Sequence, residues 1–209
     1  MGIVANTPEQ ETPTNFLATQ VWPSARVAAL AVERYMMSAL DQKKRSNKLR
    51  TLCEFGCGPG LPSLTAARKL RSNYMDAKVY ATDLDLLALD LVELAAKDQG
   101  IGEFVETRQF DLISDGPTFP QADLYLLSDV FESASVAEGA AKVTKAALDA
   151  GSIVWVFAQT DRAQREIFLQ NVQSLVADPN LSWQPATSPP PDDSRLWLCD
   201  VDETAVFYG

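Results

Sequence analysis

The sequence predicts an α/β fold: a doubly wound, mostly parallel sheet with helices on both faces, an extra N-terminal helix and a C-terminal antiparallel hairpin. Three observations lead there. Short runs rich in β-branched and aromatic residues alternate with segments whose apolar residues recur every three or four positions, the pattern of repeated strand–helix–strand units. The run Ser152 to Ala158 is almost continuously apolar, as a strand covered on both faces requires. A glycine-rich turn, Gly56-Cys57-Gly58-Pro59-Gly60, stands where the first strand gives way to its helix, and glycines let the backbone turn sharply there.

Element by element, Pro23 suits the first turn of a helix, and Val27, Leu30, Ala31 and Tyr35 continue it with helical spacing to about residue 41. Lys43, Lys44, Arg45, Lys48 and Arg50 follow, five of the 18 basic residues in one stretch. They read as a solvated connector or as an anion-docking patch. Thr51 to Phe55 is a strand, and Leu61 to Arg71 a helix. Lys78 to Thr82 is the second strand, followed by a helix that places Leu87, Leu91, Leu94 and Ala95 on one apolar face and stops at Gly100, as helices commonly do at glycine. Phe104 to Thr107 and Ala122 to Leu127 are the third and fourth strands. The next helix carries Val136, Ala140, Val143 and Ala147 and ends before Gly151; the strand Ser152 to Ala158 then precedes a helix with Phe168, Val172, Leu175 and Val176. Leu181 to Ala186, Leu196 to Val201 and Thr204 to Tyr208 are strand-like without helices between them. They predict the terminal hairpin, with either of the last two as its return strand. The only biased segment is the loop Ser188 to Ser194.

A chain of 209 residues makes one domain, expected over residues 20–209 behind a loose polar tail at 1–19. Its 46% hydrophobic and 22% charged content excludes a largely disordered chain. No run approaches the ~18 apolar residues of a membrane span, so no membrane partner is expected. Met1 to Phe16 has no basic residue, which argues against a secretory or transit peptide, and Asn6 stands where a myristoylation motif wants Ser or Thr. The net charge of −10 disfavours nucleic acid as a partner. There is no histidine, which removes His-based triads, imidazole acid–base work and His-ligated zinc. Cys53, Cys57 and Cys199 are too few and too unevenly spaced for a disulfide framework or a metal cluster. They read as buried thiols in a reducing compartment, so a cytoplasmic monomer without a metal is expected.

Ligands of open parallel sheets bind beyond the carboxyl ends of the strands, where the glycine turn lies. Glu54 precedes the turn, and Asp83 ends the second strand 23 residues beyond Gly60, placed for the two hydroxyls of a ribose. A dinucleotide fingerprint needs Gly-x-Gly-x-x-Gly, whereas the spacing here is Gly-x-Gly-x-Gly. S-adenosylmethionine lacks a pyrophosphate but carries an ammonium and a sulfonium, which a nearby carboxylate favours. Glu54 therefore points to S-adenosylmethionine.

With these residues the chain resembles the class I, seven-β-strand S-adenosylmethionine-dependent methyltransferases, from about Gln20 to the C-terminus. Three further segments are similar to the branch that holds the protein-lysine methyltransferases and the nicotinamide N-methyltransferase-like proteins. Val21-Trp22-Pro23-Ser24-Ala25 resembles its Trp-Pro/Asp-x-Ala helix start. Leu126-Leu127-Ser128-Asp129-Val130-Phe131 resembles its strand-four ending, and Thr204 to Tyr208 its closing strand. The resemblance implies a Rossmann-like fold and a set of cofactor contacts. Trp22 packs beside the cofactor or anchors the helix in the core. Gly56, Cys57, Gly58 and Gly60 form the turn, whose main-chain groups, amides included, line the methionine part. Glu54 holds the amino group, Asp83 the ribose and Leu84 the adenine. Asp111 reaches the adenine amino group with Leu112 flanking the ring, and Ser128 lies under the methionine end. Much of the branch has Trp at the position of Leu112.

Methyl transfer relies on positioning and a complementary field more than on acid–base groups, which fits a chain without histidine. A lysine acceptor must arrive neutral, which from a pKa of ~10.4 costs about 4.6 kcal/mol at pH 7. A carboxylate alone raises that pKa, so Asp129 is assigned to orienting the amine and stabilising the cationic product rather than to acting as a base. The sequence departs from the branch at the acceptor pocket. Where an aromatic residue is expected three positions after the aspartate stands Glu132, with Phe131 one place early. Glu132 attracts a cationic acceptor, or a shifted helix presents Phe131, or Glu132 is simply an acid favoured at a helix N-terminus. Asp161-Arg162 either borders the acceptor mouth or starts a helix. The function expected is N-methylation of an accessible lysine on a protein partner. A small-molecule N-methyltransferase and a silent cofactor-binding scaffold are the alternatives, and an NAD-dependent oxidoreductase has the wrong glycine spacing.

Overall fold

The structure is a computed structural model, and it describes residues 16–41, 49–71, 77–116, 118–186 and 195–202. Residues 1–15 of the expected tail, the lysines of the basic stretch, the loop Ser188 to Ser194 and the strand Thr204 to Tyr208 lie outside the described residues. After a short 3-10 turn at Phe16–Thr19 the elements are α1 (Pro23–Asp41), β1 (Thr51–Phe55), α2 (Leu61–Arg71), β2 (Lys78–Asp83) and α3 (Leu86–Asp98). A second 3-10 turn precedes β3 (Val105–Gln109), and then come β4 (Leu124–Ser128), α4 (Ala134–Asp149), β5 (Ile153–Gln159), α5 (Gln164–Val176), β6 (Gln184–Pro185) and β7 (Leu196–Val201).

The strands form one seven-stranded sheet in the order β3-β2-β1-β4-β5-β7-β6. The chain winds outward from β1 to β3, then crosses back to lay β4 beside β1. The β1–β4 boundary is therefore the point where the winding reverses, and a crevice opens there at the carboxyl ends of the strands. Leu52 pairs with Leu124 and Phe55 with Leu127 across that boundary.

Strand side chains alternate between faces. Leu52, Leu124, Leu126, Trp155 and Phe157 pack with α1, α2 and α3 on one face. Cys53, Phe55, Tyr125, Leu127, Val154 and Val156 pack with α4 and α5 on the other. The alternation that sends Leu52 under α2 sends Glu54 to the same face, and Ser128 follows Leu124 and Leu126 by the same parity. The sheet thus carries a carboxyl and a hydroxyl into its core at the carboxyl ends of its two central strands.

Two expectations are corrected. Every pairing among the described strands is parallel, including β5 with β7 and β6 with β7. Leu196 to Val201 is therefore not an antiparallel return strand, and the piece expected from Leu181 to Ala186 is reduced to two residues. The ten positions between β6 and β7 reach ~33 Å when extended, enough to carry the chain back to the start of a six-residue strand. The second correction concerns α3. Its Leu87, Leu91 and Leu94 are exposed, and its buried face is Ala88, Leu89, Val92 and Ala96. Two apolar stripes run along this helix beside its polar face of Asp90, Glu93 and Lys97, and Leu89, Val92 and Ala96 of the second stripe join the core.

Leu89→Ala, which opens a cavity, should cost about 2–5 kcal/mol, whereas Leu94→Ser should change stability by no more than about 0.5 kcal/mol. Urea unfolding of the two variants checks this assignment; the reverse ranking would restore the leucine face to the core.

Candidate functional site

A cleft opens at the carboxyl ends of β1, β2 and β4. It holds about 960 Å³ between its walls, the open mouth included. Trp22, Glu54, Gly56, Cys57, Gly58, Asp83, Leu84, Asp111, Leu112, Ser128, Asp129 and Glu132 all line it. Ala18, from the last turn of the expected tail, lines it too.

Glu54 is fully buried. Its Oε2 accepts hydrogen bonds from the Ser63 amide at 3.0 Å and the Ser63 hydroxyl at 2.5 Å, both in the first turn of α2. Among the described residues its Oε1 has no hydrogen-bond partner, and the same holds for the buried Ser128 Oγ. Burial pushes the Glu54 carboxyl up to about 8, against the downward pull of the two Ser63 hydrogen bonds. Two unsatisfied polar groups in one cleft are costly unless a ligand pairs with them.

The glycine turn is held by its own hydrogen bonds. The Cys57 amide donates to the Thr82 carbonyl at 2.9 Å, and the Gly60 amide to the Cys57 carbonyl at 2.8 Å. The Gly58 amide donates to Asp83 Oδ2 at 2.8 Å. The amides expected to cradle a ligand at Cys57, Gly58 and Gly60 are thus already engaged, which leaves carbonyls and carboxylates to face one; such a lining suits a cation. Gly56 has φ +62°, and a Cβ there would lie 2.4 Å from Val130 Cγ1, so only glycine lets the turn pass the end of β4. Gly60 does not line the cleft: its φ is +73° and a Cβ would meet Val92 Cγ2 at 2.6 Å. Its role is close packing against α3 rather than ligand contact.

Asp83 also accepts from the Asp85 amide at 2.9 Å, and burial raises its carboxyl above the usual range. Leu84 is exposed beside it, and Asp111 and Leu112 lie across the cleft. Asp111 accepts from the Ile113 amide and the Ser114 hydroxyl, bonds that hold its carboxyl below the ordinary value. The Cys57 thiol is buried, and burial raises it far above the usual thiol range, so it acts as a small wall residue. Phe131 is a correction: it is buried in the core, against Phe168 and Trp183, because α4 starts without the one-residue shift that would turn it to the cleft. Glu132 takes that place at the mouth and is exposed.

Asp129 ends β4 with its side chain buried and a positive φ of 63°, a conformation that costs a non-glycine residue about 1–3 kcal/mol. Its amide donates to the Phe157 carbonyl at 2.8 Å. Its carboxylate receives Arg162 Nε at 3.1 Å on both oxygens and Nη2 at 2.9 Å. The Arg162 guanidinium also lies 4.8 Å from the Trp22 ring centre. Sequence reasoning missed the weight of Arg162, for which the only signal was its place just after β5. It also missed Ser63, whose place in the first turn of α2 was a legible one.

The donor set fits S-adenosylmethionine. Glu54 Oε1 and Ser128 Oγ offer unused hydrogen-bonding capacity at the methionine end, Asp83 offers acceptors for hydroxyls, and Leu84 and Leu112 offer an apolar slot.

Glu54 gives the protein a pH signature. Between about pH 4.5 and 8 the unfolded chain holds fewer protons at this group than the folded one, so stability falls as pH rises through that window. Urea midpoints at pH 5 and pH 8 should show the fall in the wild type and a flatter profile in Glu54→Gln. Equal slopes in the two proteins would refute the assignment.

Comparison with known proteins gives one family and one fold. A family model described as lysine methyltransferase matches residues 7–175. No curated protein matches the chain. Among solved structures, a TehB-like SAM-dependent methyltransferase from Corynebacterium glutamicum is 18% identical with a TM-score of 0.51, over 75% of this chain and 73% of that one. The O-methyltransferase TomG from Streptomyces achromogenes is 15% identical with a TM-score of 0.48, over 76% and 69%. A SAM-dependent O-methyltransferase from Thermotoga maritima is 22% identical with a TM-score of 0.49, over 68% of this chain and 48% of that one.

Proposed function

The chain belongs to the lysine methyltransferase family and is an S-adenosylmethionine-dependent methyltransferase, and from that premise we propose that it methylates the side-chain amine of a lysine in a protein. The observation that carries this reading is the acidic mouth of the cleft, which short connections border on the side of Asp129 and Glu132 among the described residues. Two of the connections that border it are short: residues 129–133 join β4 to α4, and residues 160–163 join β5 to α5. Neither is long enough to fold over a small acceptor, whereas an extended segment of a partner protein can reach in from outside. Glu132 at that mouth, and a net charge of −10, favour a basic segment by steering and by local attraction.

When bound, S-adenosylmethionine supplies an electrophilic methyl group on a sulfonium. The chain's own work is placement. Glu54 and Ser128 fix the methionine end through their unpaired atoms, and Asp83 fixes the ribose. Leu84 and Leu112 hold the ring, and Trp22 walls the end nearest Asp129. The cofactor held there would supply its methyl group to an acceptor nitrogen, the bond to sulfur leaving its electron pair on the thioether as the N–C bond forms. The acceptor nitrogen gives up its proton before the transfer, since only a neutral amine has the lone pair that forms the new bond. Alignment of the two reacting atoms and exclusion of water deeper in the cleft supply the acceleration.

Incubating the protein with methyl-labelled S-adenosylmethionine and a cell extract, then separating macromolecules from small molecules, tests the reading. Label should enter the macromolecular fraction and appear as methyl-lysine after hydrolysis. Label confined to the small-molecule fraction would contradict it.

A further inference from the structure

An acid at the end of β4 is the natural place to hold an incoming ammonium, but here that acid is already paired. Both Asp129 oxygens are taken by Arg162 in a forked contact at 2.9–3.1 Å. The Asp129 side chain is fully buried while that of Arg162 is 30% exposed, so the carboxylate is shielded from solvent with both of its oxygens held by the guanidinium. The same guanidinium lies over the Trp22 ring, in the range of a cation–π contact. One arginine from the β5–α5 connection therefore joins the end of β4 to the start of α1, and both residues it joins line the cleft.

Glu132 is placed differently. It lines the same cleft, is exposed, and has no hydrogen bond or ion pair among the described residues. Asp161 and Glu132 also act electrostatically on Arg162, so this one guanidinium faces three acids. An ammonium arriving from solvent meets Glu132 without displacing anything. To reach Asp129 it would have to break a forked, partly buried pair, and a point charge does not reproduce that bidentate geometry.

We infer that Glu132, rather than Asp129, receives the ammonium of the acceptor, and that Arg162 is a positioning residue that fastens Asp129 and Trp22 into one wall of the cofactor cleft. The inference rests on the lysine reading above and specifies which acid recognises the acceptor. It gives the residue at the family's aromatic position a recognition role and turns Asp129 into part of the scaffold.

A fluorescent deca-lysine peptide, used as binding probe and as methyl acceptor, separates the two acids, with S-adenosylhomocysteine affinity measured alongside. Glu132→Gln should weaken deca-lysine binding and raise its KM by about fivefold, with kcat and S-adenosylhomocysteine affinity within about twofold. Glu132→Asp should restore most of the loss. Arg162→Gln and Asp129→Asn should instead lower S-adenosylhomocysteine affinity by about fivefold, because the guanidinium contact on the Trp22 ring is lost or misplaced. Unchanged deca-lysine binding in Glu132→Gln, or an equal loss in Asp129→Asn, would overturn the inference. Peptide binding reads out without turnover, so a wild type that binds deca-lysine through Glu132 but methylates no lysine would count against the lysine reading alone.

Discussion

A carboxyl group with one oxygen unpaired lies in the core at the end of the central strand, and the arrangement of the cleft follows from it. Strand parity places Glu54 on the face covered by α2, where Ser63 satisfies Oε2 with two hydrogen bonds. None of the described residues satisfies Oε1. The fold tolerates this by keeping the group largely protonated at neutral pH, since a buried charge without a partner is far more costly than a buried acid. A ligand that brings an ammonium reverses that preference, so the free protein holds in strain what the complex recovers in pairing.

The rest of the cleft is built by close approach. The glycine turn closes on itself through the Cys57 and Gly60 amides and is tied to the end of β2 through Asp83 and Gly58. It passes Val130 and Val92 at distances that admit no Cβ at Gly56 or Gly60. Across from it, Arg162 ties Trp22 to Asp129, so the N-terminal helix becomes a wall of the site rather than an appendage. These two fastenings lie on opposite sides of the β1–β4 boundary. That is why a crevice produced by topology alone has definite walls.

Much of this was legible in the sequence, for identifiable reasons. Glu54, the glycines and Asp83 sit at strand ends, where periodicity fixes position and facing to within a residue, and the structure brings all of them but Gly60 to the cleft. The α3 face was misread because Leu87, Leu91 and Leu94 compete with Ala88, Leu89, Val92 and Ala96; helical spacing cannot choose between two apolar stripes. Phe131 and Glu132 are neighbours, and which one meets the cleft depends on where α4 begins, a matter of one residue. The Arg162 pairing spans 33 positions, and no local pattern marks a contact of that range. The engagement of the turn's amides was equally hidden, because their acceptors belong to the neighbouring strand β2, to its final aspartate and to the turn itself.

The account stands on the pairing of Glu54 with a ligand ammonium. Calorimetric titration of S-adenosylhomocysteine at pH 7, in two buffers of different ionisation enthalpy, tests it most directly. Stoichiometric binding should release close to one proton, because Glu54 passes from protonated to ionised on pairing, and Glu54→Gln should abolish that release. Absence of binding heat, or binding that releases no proton and is unaffected by Glu54→Gln, would contradict it.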